Sequence, residues 1–148
     1  KEGHLLATQG EAINLPKLQD DFKEYSKKFR FIGAMYDPWN ATEFASRMSM
    51  ERIEMLEFKM TTANLSEPMK KLDALIREGK IAHNGSPLLR WCLGNIVAKR
   101  DANDNVFPRK EHEDNKIDPI VAMIMALAGW IQEEEKPSIY TQRDLRFL

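Results

Sequence analysis

The longest apolar segment of the chain, Ile120–Ile131, is the feature that most constrains its fold. It is shorter than the roughly 18 apolar residues that a membrane-spanning helix needs, and Gly129 interrupts it. We therefore predict a buried helix over residues 117–132. A chain of 148 residues is long enough to form one domain with a core around such a helix.

Strands and helices are predicted to alternate before this final helix. The helical spacing of apolar residues and the short apolar runs give the order strand, helix, strand, helix, strand, helix, helix. The predicted strands lie at residues 4–8, 31–35 and 53–58, and the predicted helices begin near Asn14, Ala41, Ser66 and Leu88. This order is typical of a layered α/β domain.

The composition of the chain suggests one domain followed by a polar tail. We predict the domain at residues 1–132 and a polar C-terminal tail at residues 133–148. The start is polar and has no initiator Met, so we expect the chain to be a fragment of a longer polypeptide. Between the last two predicted helices, the polar residues Asp101–Asn105 are predicted to form a turn at the tip of a hairpin or an extended excursion.

Charge and cysteine content exclude some classes of protein. The formal net charge is −1, so the chain is not a generic basic nucleic-acid coat, and any DNA contact must come from a local patch. The single cysteine, Cys92, excludes an internal disulfide and fits a reducing compartment.

Two aspartates, each followed by proline, stand at predicted element ends. Asp37 follows the apolar run 31–35, and Asp118 lies at the mouth of the last helix. Taken singly, each is interpreted as a helix cap, because aspartate caps helices and proline suits the first turn. As a pair they suggest a metal site, since strand ends collect sites in α/β sheets and ionised carboxylates suit Mg²⁺ or Mn²⁺.

Other candidates carry open alternatives. His83 is a metal ligand, general base or phosphate contact, or a loop residue without a role. Asn95 orients water or backbone, or caps a helix. Trp39 and Trp91 are interpreted as core-packing residues, with stacking on bases as the alternative. Five basic residues form either a phosphate-binding edge or a solvated hairpin: Lys99, Arg100, Arg109, Lys110 and Lys116.

Several catalytic signatures are absent from the sequence. The chain has no GxxxxGK[ST], HExxH, paired CxxC or GxSxG pattern. A P-loop, a zinc site and a serine nucleophile are therefore unsupported. Cys92 lies on a predicted apolar helical face, which is a poor place for a reactive thiolate.

With these residues in hand, the chain resembles the nuclease domain of large terminase subunits from tailed bacteriophages. The order and spacing of its motifs agree with that family from about residue 3 to residue 130. The segments that carry the resemblance are Tyr36–Ala41, Leu65–Lys70, His83–Asn95 and Asp114–Leu127.

The resemblance implies a ribonuclease H-like fold with a mixed sheet flanked by helices. It implies a metal-dependent endonuclease that cuts concatemeric double-stranded viral DNA during genome packaging, in the host bacterial cytoplasm. The implied partners are an upstream ATPase domain of the same polypeptide, a small terminase subunit and the portal protein. Asp37 and Asp118 take the places of metal ligands.

One departure from the family pattern matters. The family's site also uses an aspartate on a first strand that would precede this chain, and that strand pairs beside the one ending at Tyr36. We therefore expect an incomplete metal site, an edge that something else covers, and little or no activity from the chain by itself.

The implied mechanism is hydrolysis with two Mg²⁺ or Mn²⁺ ions about 3.5–4 Å apart. Two alternatives stay open: a non-catalytic DNA-guiding or portal-docking module, and another ribonuclease H-like nuclease such as a resolvase or transposase.

Overall fold

The computed structural model describes residues 5, 7–8 and 13–134, and these form five helices and four short strands. Their bounds in chain order are α1 Leu15–Lys28, β1 Ala34–Tyr36, α2 Thr42–Met50, β2 Met55–Glu57, α3 Thr62–Arg77, α4 Pro87–Gly94, β3 Ile96–Arg100, β4 Val106–Lys110 and α5 Asp118–Glu134. Most of the tail predicted at residues 133–148 lies outside the described residues, so its boundary stays a prediction.

The predicted α/β class is confirmed, but the predicted order lacked the two strands β3 and β4 between the last two helices. The predicted first strand, residues 4–8, lies partly outside the described residues, and Leu5, Ala7 and Thr8 are in no strand. The helix predicted to begin near Leu88 ends at Asn95, and Ile96, whose spacing from Leu88 and Cys92 also suits a helix, begins β3. Residues 101–105 form the hairpin turn that the sequence predicted.

In this structure, a capping side chain marks the start of a helix more reliably than a proline does. Asn14 caps α1 as predicted, and its side chain accepts a hydrogen bond from the N–H of Lys17 at 3.0 Å. The prediction that Ser66 opens α3 is wrong, since Thr61 caps that helix through the N–H of Asn64 at 3.2 Å. Pro68 lies inside α3, and Ser66 is a buried residue on the helix.

The strands form two separate pairs among the described residues, rather than the one mixed sheet that the resemblance implied. β1 pairs in parallel with β2, with Met35 opposite Leu56. β3 and β4 form an antiparallel hairpin, with Ala98 opposite Pro108. The parallel pair supplies the strand end that carries Asp37, and the hairpin supplies the basic residues.

The buried helix predicted from Ile120–Ile131 is confirmed as the centre of the core. α5 packs against α3, α4 and β1. Its residues Ile120, Ile124 and Ala128 join a buried cluster whose other members are Phe58, Leu65, Leu72 and Cys92. In the described part of the chain, no helix combines the length and the apolar character that crossing a membrane requires.

One edge of β1 faces a groove instead of another strand. Among the described residues β1 has a single strand neighbour, β2. A groove of about 450 Å³ runs along residues 30–35, and Ala122, Met125 and Gly129 of α5 line its other side. The apolar lining fits the expectation that β1 has an edge left to be covered.

Candidate functional site

Asp37 lies directly after β1 and does not cap a helix. Its Oδ1 accepts a hydrogen bond of 3.1 Å from the backbone N–H of Trp39, which closes a tight local turn. The following helix begins only at Thr42, and its capping position, Ala41, has no side-chain hydrogen bond. The helix-cap interpretation of Asp37 is therefore wrong, and the half-buried carboxylate stands at the C-terminal end of a parallel strand.

Asp118 is the first residue of α5 and is exposed. The first helical N–H groups, those of Ile120 and Val121, bond to the carbonyl of Ile117 at 2.9 and 3.0 Å. In the described part of the chain, no protein donor bonds to the Asp118 carboxylate. The helix dipole favours an anion at this end, so the position suits an ionised carboxylate that is open to an external cation or to water.

The elements that carry the two aspartates are in direct contact. β1 packs against α5, and the contact is close at Met35 and Gly129, where a Cβ on the glycine would come within 3.0 Å of the Met35 side chain. The packing of β1 on α5 thus fixes the strand that ends before Asp37 against a part of α5 that lies 11 residues, about three helical turns, after Asp118.

The side chains at this site provide only some of the ligands that a hard cation needs. Among the described residues, no group of three or more His, Cys, Asp or Glu side chains gathers in a way that could hold a metal ion. Mg²⁺, however, usually keeps several waters and takes only one or two carboxylates together with substrate phosphates. Asp37 and Asp118 offer oxygen donors of the right kind for such a site.

Asp118 also acts on its neighbour Cys92. This buried thiol lies on α4, and burial raises its pKa, with a further increase from the negative charge of Asp118. The thiol is thereby kept protonated and unreactive, as the sequence predicted. The same effect shows that the Asp118 carboxylate lies within electrostatic range of the α4 helix.

Asn95 is buried and holds three segments together. It is the capping residue at the C-terminus of α4, and its Nδ2 donates a hydrogen bond of 3.1 Å to the carbonyl of Lys116. Its own carbonyl accepts from the N–H of Glu111 at 3.0 Å. Asn95 therefore has two of its predicted roles, since it binds backbone through its side chain and caps a helix.

Sequence reasoning missed Ser66. Its side chain is buried, and its Oγ accepts a hydrogen bond of 3.1 Å from the backbone N–H of Val106 at the start of β4. The bond ties the hairpin to α3. In the sequence, Ser66 lies between apolar residues of a helical stripe, which indicates a buried position. The proline two residues later made this serine resemble a helix start instead.

Four of the five predicted basic residues lie on the hairpin, and the structure divides these four between its two faces. Alternate residues share a face, so Val106 and Pro108, which are buried, mark the inner face together with Arg100 and Lys110. Arg100 pairs with Asp104 at the hairpin tip, so its charge is locally balanced.

The outer face of the hairpin carries basic residues and one aromatic ring, that of Phe107, which is partly buried and packs against the core. Its residues are Val97, Lys99, Phe107 and Arg109. Lys99 lies opposite Phe107 across the strands, and the guanidinium of Arg109 stacks over the same ring at 5.2 Å from its centroid. Lys99 and Arg109 are exposed, and in the described part of the chain neither forms an ion pair. We call these four residues the outer hairpin face.

Lys110 and Lys116 lie closer to the Asp118 end of the molecule. Lys110 ends β4, opposite Ile96, and Lys116 precedes Asp118 by two residues. Both are exposed, and neither has an acidic partner among the described residues. They remain candidates for charge neutralisation beside Asp118.

His83 lies in the exposed loop between α3 and α4. Its Nδ1 accepts a hydrogen bond of 3.0 Å from the N–H of Gly85, whose φ is +75°. One ring nitrogen is thus used by the loop itself. The structure gives His83 a local role in shaping the loop, and its candidate accessory role stays a prediction.

The core-packing interpretation of two tryptophans is wrong. Trp39 is 81% exposed and Trp91 is 50% exposed. Trp39 lies in the turn closed by Asp37. Large exposed aromatic groups beside a candidate site are available for contact with a partner.

Comparison with protein families gives one result that spans most of the chain. The family model described as "Terminase large subunit, endonuclease domain" matches residues 3–135. Protein YmfN of Escherichia coli (strain K12) is 32% identical over 139 residues, which are 93% of this chain and 30% of that protein. The terminase large subunit of Enterobacteria phage HK97 is 25% identical over 132 residues, 87% of this chain and 26% of that protein.

Solved structures give the same fold. The HK97 bacteriophage large terminase matches with a TM-score of 0.77 at 25% identity, over 86% of this chain and 27% of that one. The large terminase nuclease from thermophilic phage G20c matches with a TM-score of 0.60 at 16% identity, over 79% of this chain and 61% of that one. The chain thus has the α/β, ribonuclease H-like fold of terminase nuclease domains, and it spans under a third of the length of YmfN and of the HK97 subunit.

Proposed function

Because the chain belongs to the family of terminase large subunit endonuclease domains, we propose that it contributes a divalent-cation site for the hydrolysis of phosphodiester bonds in double-stranded DNA. The observation that carries the proposal is the placement of Asp37 and Asp118. Both lie at ends of elements that pack against each other, and neither caps a helix through its side chain. Each carboxylate therefore has a position that helix capping does not explain.

The residues of this chain would bind and orient the reacting groups. Asp37 and Asp118 would hold Mg²⁺ or Mn²⁺, two ions in the intact site, through their carboxylate oxygens. Bound divalent cations lower the pKa of the attacking water and offset charge on the phosphate and on the leaving 3′ oxygen. Lys110 and Lys116, exposed on the approach to Asp118, would neutralise further phosphate charge.

The outer hairpin face would contact the DNA backbone. Lys99 and Arg109 are unpaired cations in the described part of the chain, set on a rigid two-stranded ribbon around Phe107. Phosphate contacts of this kind fix the position of a protein on a duplex without reading its sequence. A local patch of this size is compatible with the formal net charge of −1.

Trp39 would contact DNA close to the cleaved bond. Its backbone N–H is bonded to Asp37, so the indole and the carboxylate belong to one turn. An indole that is 81% exposed gives a broad apolar surface for a sugar or a base. This contact would position the strand rather than select its sequence.

The partners are proposed from membership of the terminase large subunit family, and the lengths of the relatives are compatible with them. The chain matches 26% of the HK97 terminase large subunit, so the remaining activities of such a subunit lie outside the matched segment. We propose that this domain works with an ATPase domain, a small terminase subunit and the portal protein in packaging concatemeric DNA in the host bacterial cytoplasm.

A nicking assay on supercoiled plasmid tests the proposal. With Mn²⁺ we expect the full-length polypeptide that contains this chain to nick the plasmid, and we expect Asp37→Ala and Asp118→Ala to abolish the nicking. Asp73→Ala is the matched control, since Asp73 is an exposed acid of α3 that pairs with Arg77 at 2.8 Å. Equal nicking by all three variants would place the nuclease site elsewhere.

Complete absence of nicking by the unmodified full-length polypeptide would have a different meaning. Tight duplex binding without cleavage would then favour the alternative of a non-catalytic DNA-guiding module. That alternative draws on the absence of a three-donor metal cluster among the described residues.

A further inference from the structure

Asn95 is buried and bonded to a distant segment, and its position at the end of α4 does not by itself require either feature. Only 8% of the residue is exposed, and with Ser66 it makes up the buried polar residues among those described. Burying an amide is unfavourable unless it is hydrogen-bonded. Its Nδ2 is bonded to the carbonyl of Lys116, 21 residues further along the chain.

The segment that Asn95 holds leads directly into the proposed metal site. Lys116 is followed by Ile117, whose carbonyl accepts the first two hydrogen bonds of α5, and then by Asp118. A bond at Lys116 therefore fixes the backbone immediately before the exposed carboxylate. Since Asp118 itself has no hydrogen-bond donor among the described residues, its position depends on this backbone.

Asn95 also anchors the hairpin. Its carbonyl accepts the N–H of Glu111, the residue after the end of β4. The far end of β4 is anchored separately, because Ser66 bonds to Val106. The Ser66 side chain thus holds the start of β4, whereas the backbone carbonyl of Asn95 holds the end of β4 and the Asn95 side chain holds Lys116.

We propose that Asn95 is a positioning residue for Asp118, joining the end of the hairpin to the start of α5 so that the carboxylate is held where a divalent cation binds. The part of this proposal that concerns the cation rests on the proposed function. Groups that orient metal ligands from the next layer typically change metal affinity by about 10- to 100-fold when they are removed.

The test compares two variants that each remove one buried hydrogen bond. Asn95→Leu keeps a similar shape and adds no charge, but it cannot donate to Lys116. Ser66→Ala removes the other buried bond between a side chain and the backbone, the one to Val106 at the start of β4. Mn²⁺ binding is measured by the electron paramagnetic resonance signal of free Mn²⁺, and the melting temperature without metal records the general loss of stability.

Mn²⁺ affinity is expected to separate the two variants. Both should lower the melting temperature, but Asn95→Leu should weaken Mn²⁺ binding about tenfold, while Ser66→Ala should leave it unchanged. If Ser66→Ala weakens binding as much as Asn95→Leu does, the effect is one of stability alone and the proposal is overturned. Asn95→Ala repeats the comparison if the leucine variant fails to fold.

Amide hydrogen exchange gives a readout that needs no metal. Asn95→Leu should speed exchange at Ile120 and Val121, whose N–H groups bond to Ile117, whereas Ser66→Ala should speed it at Val106 instead. Unchanged exchange at Ile120 and Val121 in Asn95→Leu overturns the positioning role.

Failure of the proposed function looks different from failure of this inference. If Asp118→Asn leaves Mn²⁺ affinity unchanged, the ligand assignment is wrong. Hydrogen exchange at Ile120 and Val121 then still decides whether Asn95 positions the start of α5.

Discussion

Gly129 of α5 lies directly against Met35 of β1, so that a Cβ on the glycine would come within 3.0 Å of both Cγ and Sδ of the methionine. This contact joins the helix that begins at Asp118 to the strand that ends before Asp37. The close approach of the two elements therefore depends on the absence of a side chain at residue 129.

Replacing this glycine should destabilise the chain although alanine is the better helix former. A helical Gly→Ala change alone stabilises by up to about 1 kcal/mol, but overpacking against Met35 costs about 1–3 kcal/mol. We expect Gly129→Ala to lower the free energy of unfolding by about 1 kcal/mol, the difference between these two terms. Denaturant unfolding followed by circular dichroism measures it.

Gly94 provides the matched control. It ends α4, and a Cβ there meets nothing within 4 Å. Gly94→Ala should therefore be neutral or slightly stabilising. If Gly129→Ala and Gly94→Ala change the free energy of unfolding by similar amounts, the contact with Met35 is not what makes alanine unfavourable at residue 129.

The sequence predicted the elements better than their arrangement. The apolar run Ile120–Ile131 required burial in any fold, and the capping oxygen of Asn14 marked a helix start by local chemistry. Pairing between strands depends on contacts distant in sequence, so the separation into a parallel pair and a hairpin could not be derived from local patterns.

Site residues were predictable as candidates but not in their contacts. Asp37 and Asp118 stood out because acids follow or precede apolar runs, whereas the bond from Asn95 to Lys116 spans 21 residues and leaves no local signal. The exposure of Trp39 also contradicts the usual packing of tryptophan, and no local pattern in the sequence marks it. Residues that break a packing rule in this way concentrate at functional sites.

Trp39 should be protected when DNA binds. The chain has three tryptophans, and a variant with Trp91→Phe and Trp130→Phe leaves Trp39 as the only emitter. We expect duplex DNA to reduce acrylamide quenching of Trp39, and Trp39→Ala to weaken DNA binding about tenfold, within the range of about 1–3 kcal/mol for an aromatic–base contact. A variant that keeps only Trp91 is the control, and equal protection of both would argue against a specific contact.

Lys99 and Arg109 should contribute to the salt dependence of DNA binding. Each phosphate contact that is lost reduces the slope of log K against log salt by about 0.9. We expect Lys99→Gln with Arg109→Gln to reduce the slope by about 2 when binding is followed by fluorescence anisotropy between low and moderate salt. Arg77→Gln, which removes a cation paired with Asp73 on α3, should leave the slope unchanged.

Asp101 should make the hairpin turn sensitive to acid. Hydrogen bonds from the side chain and backbone of Asn105 lower the pKa of Asp101, with smaller contributions from the N–H of Asn103 and the charge of Lys70. A carboxyl whose pKa is lower in the folded state stabilises the fold above its unfolded pKa, and that stability is lost as the pH falls through the folded pKa.

Asp101→Asn is the variant that reports this effect. At neutral pH its melting temperature should be lower than that of the unmodified chain. This difference in melting temperature should shrink as the pH falls below the ordinary pKa range of aspartate. Melting curves recorded by circular dichroism across this range provide the measurement. A difference that stays constant with pH would mean that the ionised carboxylate does not stabilise the turn.

The most direct test of the central claim, that Asp37 and Asp118 hold a divalent cation, is the melting temperature of this chain with and without Mn²⁺. A ligand at ten times its dissociation constant stabilises the folded state by about 1.4 kcal/mol, so Mn²⁺ should raise the melting temperature measurably. We predict that Asp37→Asn and Asp118→Asn remove this increase while Asp73→Asn keeps it. A full increase in both the Asp37 and Asp118 variants would contradict the account.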